Sequence, residues 1–111
     1  MTEKMFFAFS SCPEATTAKR IAEAVVTERL AACVNRIDAV ASTYVWDGRL
    51  QDESEVLLIM KTVESRLAAL TARIIELHPY ELPEVVAVEV SGGNEQYLQW
   101  VRMGVMNKDR A

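Results

Sequence analysis

The sequence is poor in the residues that most often carry chemistry. It holds one histidine, two cysteines, three prolines and four glycines in 111 residues. Cys12 and Cys33 are too few and too far apart for a disulfide framework or a structural zinc site. With one imidazole, no ligand pair stands at metal spacing. No Gly-rich phosphate loop is present, and Ser10-Ser11-Cys12-Pro13 is a poor substitute. No apolar run approaches the ~20 residues of a membrane span. Positive charge is not in excess: the net charge of −4 argues against nucleic acid and anionic membranes as partners. Met1-Thr2-Glu3-Lys4 does not read as a secretion leader, so a cytoplasmic protein is expected.

What is present suits an ordinary globular chain, half apolar and a quarter charged. Residues 1–111 read as a single domain, long enough to bury a core without staples. Met5–Phe9 is a short apolar run, expected as a strand covered on both faces. Pro13 and Glu14 suit a helix start. Ala18, Ile21, Ala22, Val25 and Val26 then keep helical spacing, which predicts a helix ending near Leu30. Ala32–Trp46 reads as a long strand. Asp47-Gly48 is a strong hairpin signal, and Arg49–Lys61 returns from it. Arg49, Gln51, Glu53 and Glu55 alternate on one side, so the tip should be wet there. Val56–Met60 is apolar throughout and should be covered on both faces. Thr62–Leu77 predicts a second helix, with Leu67, Leu70, Ile74 and Leu77 on one stripe. Val85–Val90 reads as a strand. Asn94 caps a third helix from Glu95 to about Met103, with Tyr97, Trp100 and Val101 on its apolar face. The tail Asn107–Arg110 is expected to fray.

Between the second helix and the last strand lies Leu77-His78-Pro79-Tyr80-Glu81-Leu82-Pro83-Glu84, with the only histidine. Pro79 must end the helix, and Pro83 can only precede a ladder or sit at its edge. The stretch is a rigid corner bearing an imidazole, a phenol and carboxylates.

Two β-α-β halves with right-handed crossovers give an α+β, ferredoxin-like βαββαβ sandwich with a long central hairpin and a short C-terminal helix. Both long helices cover one sheet face. The other would leave several hundred Å² of apolar surface bare, which is rare on a monomer. The hairpin strands also exceed the usual ~5–6 residues. Both features predict a homo-oligomer.

Three motifs then carry a family resemblance along nearly the whole chain. They are Leu30-Ala31-Ala32-Cys33-Val34-Asn35; Ser42-Thr43-Tyr44-Val45-Trp46-Asp47-Gly48 with Glu55 and Lys61-Thr62; and His78-Pro79-Tyr80-Glu81-Leu82-Pro83-Glu84 followed by Gly93 and Tyr97-Leu98-Trp100. Together they resemble the CutA divalent-cation tolerance proteins. The resemblance implies a tight homotrimer built like the PII signalling proteins, a link to copper and other divalent metals, and no agreed enzymatic activity. In the family, copper has been attributed to a cysteine at the end of the first strand and to histidines at the corner. Here those positions hold Ser10 and, for one histidine, Leu77. His78 remains, and Cys12 lies two residues beyond Ser10.

The candidate copper ligands are therefore His78 and Cys12. Cys12 precedes a helix start, where the dipole can lower a thiol pKa. The plainer reading of His78 is a hydrogen-bonded residue that helps close the helix. Cys33 reads as a small buried hydrophobe. Tyr44, Trp46, Tyr80 and Trp100, with Glu55, Glu81 and Lys61, could line an inter-subunit cleft, or the aromatics could simply pack the hairpin and its interface. Lys61 and Glu55 share a strand face and could form an ion pair or receive an anionic ligand. Three functions follow: a metal-tolerance or copper-binding trimer, a PII-like sensor of a small anionic ligand, or an enzyme. The enzyme lacks an arginine anion clamp, since Arg20 lies inside a helix, and no nucleophile–base pair is visible.

Overall fold

Asp47 and Gly48 both take positive φ, 54° and 76°. Those angles belong to the two-residue turn whose twist matches a right-handed hairpin. Around this turn the computed structural model, which describes residues 3–106, places β1 (Met5–Cys12), α1 (Ala15–Thr27), β2 (Cys33–Trp46), β3 (Arg49–Val63), α2 (Leu67–Leu77), β4 (Val86–Glu89) and α3 (Glu95–Gly104). All strands pair antiparallel in the order β2-β3-β1-β4. This is the ferredoxin-like arrangement expected. The tail Asn107–Arg110 lies outside the described residues.

Several boundaries differ from the sequence reading for local reasons. β1 runs on to Cys12, because Ser10, Ser11 and Cys12 continue the ladder opposite Leu58, Leu57 and Val56. α1 stops at Thr27 rather than near Leu30. Arg29 turns to φ 60°, and the Leu30 and Arg29 N–H groups reach back to the Val25 and Val26 carbonyls at 2.9 and 3.1 Å. That pair closes the helix end with two of its orphan carbonyls satisfied. α2 begins at Leu67, not Thr62. Thr62 and Val63 stay in β3 opposite Phe6 and Met5, as β-branched residues favour, and a single 3-10 turn over Glu64–Arg66 makes the transition. On α3 the buried stripe is Leu98 and Val101. Tyr97 and Trp100 lie outside it, 38% and 52% exposed.

The core has two parts. Ala8, Cys12, Leu58 and Met60 of the sheet pack against Ile21 and Val25 of α1 and Leu70 and Ile74 of α2. At one end of the opposite face, Met5 and Val63 meet Leu98, Val101 and Val105. Side chains alternate along strands. The register therefore assigns Phe7, Phe9, Leu57, Ile59, Val86 and Val88 to that second face. α3 covers only its edge, and Val86 and Val88 stay 54% and 53% exposed. Phe7, Phe9, Leu57 and Ile59 are half-buried, so the face expected to be bare is only partly covered.

β1 supports β3 only from Val56 to Val63. Beyond that point Val40–Trp46 and Arg49–Glu55 pair only with each other, a free ribbon of roughly 20 Å at about 3.3 Å per residue. The register breaks between Ile37 and Val40, with Ala39 at φ 59°. A bulge of this kind bends the strand and tightens its twist, and it sits where the ribbon leaves the sheet. The ribbon stretches the molecule to 48 Å along its long axis. Its tip exposes Val45 and Leu50 by 67% and 74%.

Gly104 ends α3 against the start of β2. A methyl group there would lie 2.8 Å from the Ala32 Cβ, a distance that forces backbone to move. Gly104→Ala is expected to lose about 1–3 kcal/mol of stability through overpacking, measured by urea denaturation; an unchanged midpoint would refute the close-packing argument.

Candidate functional site

The proline corner builds the site from one buried ring. His78 follows α2 with extended backbone, φ −80° and ψ 137°, as a residue before proline must. Its N–H still reaches the Ile74 carbonyl at 2.9 Å. The side chain is 7% exposed. The Tyr80 N–H donates to Nδ1 at 3.1 Å, and Nε2 lies 2.7 Å from the Ser11 carbonyl. A backbone N–H can only donate and a carbonyl can only accept. The ring is therefore neutral, with its proton on Nε2. The corner is thus bolted to the end of β1.

This fixes Tyr80, whose ring lies 4.6 Å from the imidazole. Its hydroxyl donates to Glu55 Oε2 at 2.6 Å. Burial, then the hydrogen bond to Glu55 and its charge, push the phenol well above its usual range. Glu55 is only 6% exposed, so the expectation of a wet tip fails at its inner end. At the other side of the corner, Ser11 Oγ donates to Glu84 Oε1 at 3.1 Å.

Between corner and ribbon opens a cleft of about 630 Å³. Its walls carry hydroxyls from Ser11, Ser42 and Thr43, rings from Tyr44, Trp46 and Tyr80, carboxylates from Glu55, Glu81 and Glu84, and the apolar Leu82. Tyr44, Trp46, Glu55, Tyr80 and Glu81 thus line one cleft within the protomer. Ser11, Ser42, Thr43, Leu82 and Glu84 join them. Glu84 and Leu82 could have been found from the corner stretch itself, whereas Ser11 needed the register.

Lys61 and Trp100 do not join. Residues 55 and 61 share a strand side but stand about 20 Å apart along it, so no Glu55–Lys61 ion pair forms. The Lys61 ammonium donates instead to the Tyr97 hydroxyl at 3.1 Å and lies over the Tyr97 and Phe7 rings. Trp100 stacks on Tyr97 with 5.6 Å between centroids. These residues form a second cluster beside α3.

Cys12 turns into the core among the residues beneath α1. Its thiol is pushed up from the usual 9.0 to about 11, first by burial and then by Glu14 and Glu55. A lowered, reactive thiol is therefore not found; the helix end does not outweigh desolvation. Cys33 is half-buried rather than fully buried. It stands opposite Lys61 on the sparsely covered face.

The family description "CutA1 divalent ion tolerance protein" matches residues 6–103. The chain belongs to the CutA family. Human protein CutA is 52% identical over 95 residues, which cover 86% of this chain and 53% of that protein. The chain thus spans about half the length of this relative. The divalent-cation tolerance protein CutA of Thermus thermophilus is 43% identical over 90 residues, covering 81% of this chain and 87% of that protein. The crystal structure of CutA1 from Oryza sativa superposes with a TM-score of 0.92 at 39% identity, covering 95% of this chain and 96% of that one.

The family name raises a divalent metal, and the donor set tests it. Both His78 nitrogens are engaged, and Cys12 is a buried, protonated thiol. Among the described residues, no three His, Cys, Asp or Glu side chains converge as a metal site would require. The described residues of one protomer thus offer no arrangement suited to a resident copper ion, which wants several thiolate or imidazole donors.

Two outcomes test this geometry. Tyr80→Phe removes the donor to a buried carboxylate and should cost about 1–3 kcal/mol, read by chemical denaturation; a neutral result would mean that the bond is not holding the corner. Cys12 should resist iodoacetamide at pH 8 in the folded protein. Because its folded pKa lies above its unfolded one, the stability it contributes is complete below about pH 9 and lost as pH rises toward 11. Fast alkylation of folded protein at pH 8, traced to Cys12 by peptide mapping, would contradict that assignment.

Proposed function

We propose that the protein serves divalent-cation tolerance in the cytoplasm as a homotrimer, with copper among the ions concerned. The family match over residues 6–103 carries this reading. The assembly is supported by the partly covered apolar face of Phe7, Phe9, Leu57, Ile59, Val86 and Val88 and by the unsupported ribbon. An unpaired strand edge and an incompletely covered apolar face both seek a partner. A neighbour's strand laid along the ribbon would satisfy both. The free thiols of Cys12 and Cys33 suit a reducing compartment. No helix among the described residues is long and apolar enough to cross a membrane.

The reading assigns no catalytic step. It places no resident copper on His78, whose ring spends both nitrogens on the corner. The protein would instead respond to metal through its assembly or a partner. The PII-like alternative, a small anion held in the cleft, meets three carboxylates there and has Lys61 elsewhere.

Native mass spectra of the metal-free and copper-titrated protein, beside His78→Ala, test the proposal. The expected result is a three-chain species whose copper uptake the variant leaves unchanged. A monomer at micromolar concentration would sink the assembly. A fixed number of copper ions per trimer, lost in a His78→Ala protein that keeps its far-UV circular dichroism, would overturn the indirect role and make the corner a metal site.

A further inference from the structure

We propose that the acidic cleft binds an organic cation, an ammonium or guanidinium group on a short aliphatic or aromatic body. The inference goes beyond the metal-tolerance reading and does not depend on copper; its ribbon wall, Ser42–Trp46, is the one beside which a neighbour's strand would lie.

Charge comes first. Glu55, Glu81 and Glu84 all line the cleft, and among the described residues no lysine, arginine or histidine does. Glu55 is the anchor. It is 6% exposed, and a buried carboxylate without a counter-charge is costly. Its one donor among the described residues is the neutral Tyr80 hydroxyl, on Oε2. Oε1 accepts nothing from those residues, yet it is not among the polar atoms sealed from solvent. The remaining acceptor therefore faces the cleft. The phenols of Tyr80 and Tyr44 are both held above their usual range, chiefly by desolvation and then by nearby carboxylates. Both phenols therefore stay protonated, as hydroxyl donors.

Shape and wall chemistry then select the kind of cation. A bare metal ion needs several convergent hard donors, and no such group exists among the described residues. The cleft is far larger than an ion, at about 630 Å³, a size typical of sites for organic ligands. Tyr44, Trp46 and Tyr80 supply aromatic walls, and the negative ring faces attract ammonium and guanidinium groups. The hydroxyls of Ser42 and Thr43 can accept the remaining N–H groups. An amine with one charged end therefore meets a carboxylate at depth, rings along its body and acidic residues at the mouth.

Isothermal titration calorimetry of the full chain with agmatine and putrescine tests this, with succinate and magnesium chloride as the anionic and metal controls. Saturable binding of agmatine is expected, weakened by salt, with no heat from succinate. Glu55→Gln keeps an acceptor for Tyr80 and should weaken agmatine by about tenfold or more. Should that variant fail to fold, the double variant Glu81→Gln/Glu84→Gln, at exposed positions, decides by the same loss. Absence of saturation at millimolar agmatine would overturn the proposal. So would unchanged affinity in a folded Glu55→Gln protein, or displacement of agmatine by stoichiometric magnesium.

Discussion

The hydrogen bond from His78 Nε2 to the Ser11 carbonyl holds the functional end of the molecule together. It ties the loop after α2 to the last residues of β1, two segments that no strand ladder connects at that point. The other ring nitrogen accepts the Tyr80 N–H, and the Tyr80 hydroxyl reaches Glu55 on β3. One imidazole thus links a helix end, a central strand and, through tyrosine, the root of the hairpin. Each bond in this chain is buried or half-buried, where an unmade bond costs more than a made one gains. The cleft has a fixed floor because this chain leaves the corner little freedom.

The rest of the fold supplies the frame and leaves two surfaces unfinished. α1 and α2 bury the centre of one face of the sheet. The other face is closed only near α3, and among the described residues the ribbon beyond Val56 has no third strand. Both deficits lie on the hairpin strands or beside them. A sequence that keeps Val56–Met60 apolar on both sides, and then carries the same strand outward past its neighbours, is shaped for contact with further protein. The Lys61–Tyr97–Trp100 cluster sits at the far end of the same face, so β3 presents different chemistry along its length: acidic at Glu55 by the corner, cationic and aromatic beside α3.

Much of this was legible in the sequence. Asp47-Gly48 located the hairpin because only a few residues accept two successive positive φ values. Pro79 and Pro83 located the corner because proline restricts its neighbours whatever the tertiary context. The apolar runs gave the sheet and its incompletely covered face. What failed depended on distance or direction in space. Leu98 and Tyr97 are equally credible core residues by spacing, and only the position of the sheet selects Leu98. Glu55 and Lys61 share a face by alternation, yet alternation is silent about the 20 Å between them. Cys12 looked like a helix-start thiol, but its strand direction aims it at the core. Ser11 entered the cleft through its register, which no local pattern encodes.

The bulge at Ala39 turns the hairpin into a lever. Its fulcrum lies where β1 stops supporting β3, and its arm is roughly 20 Å long. A rotation of about 10° at the root would carry the tip some 3–4 Å by that geometry, while the helices and central strands stayed in place. Tyr44 and Trp46 ride on the arm; Glu55 and Tyr80 stay near the pivot. The width of the cleft is therefore set by the angle at which the ribbon leaves the sheet.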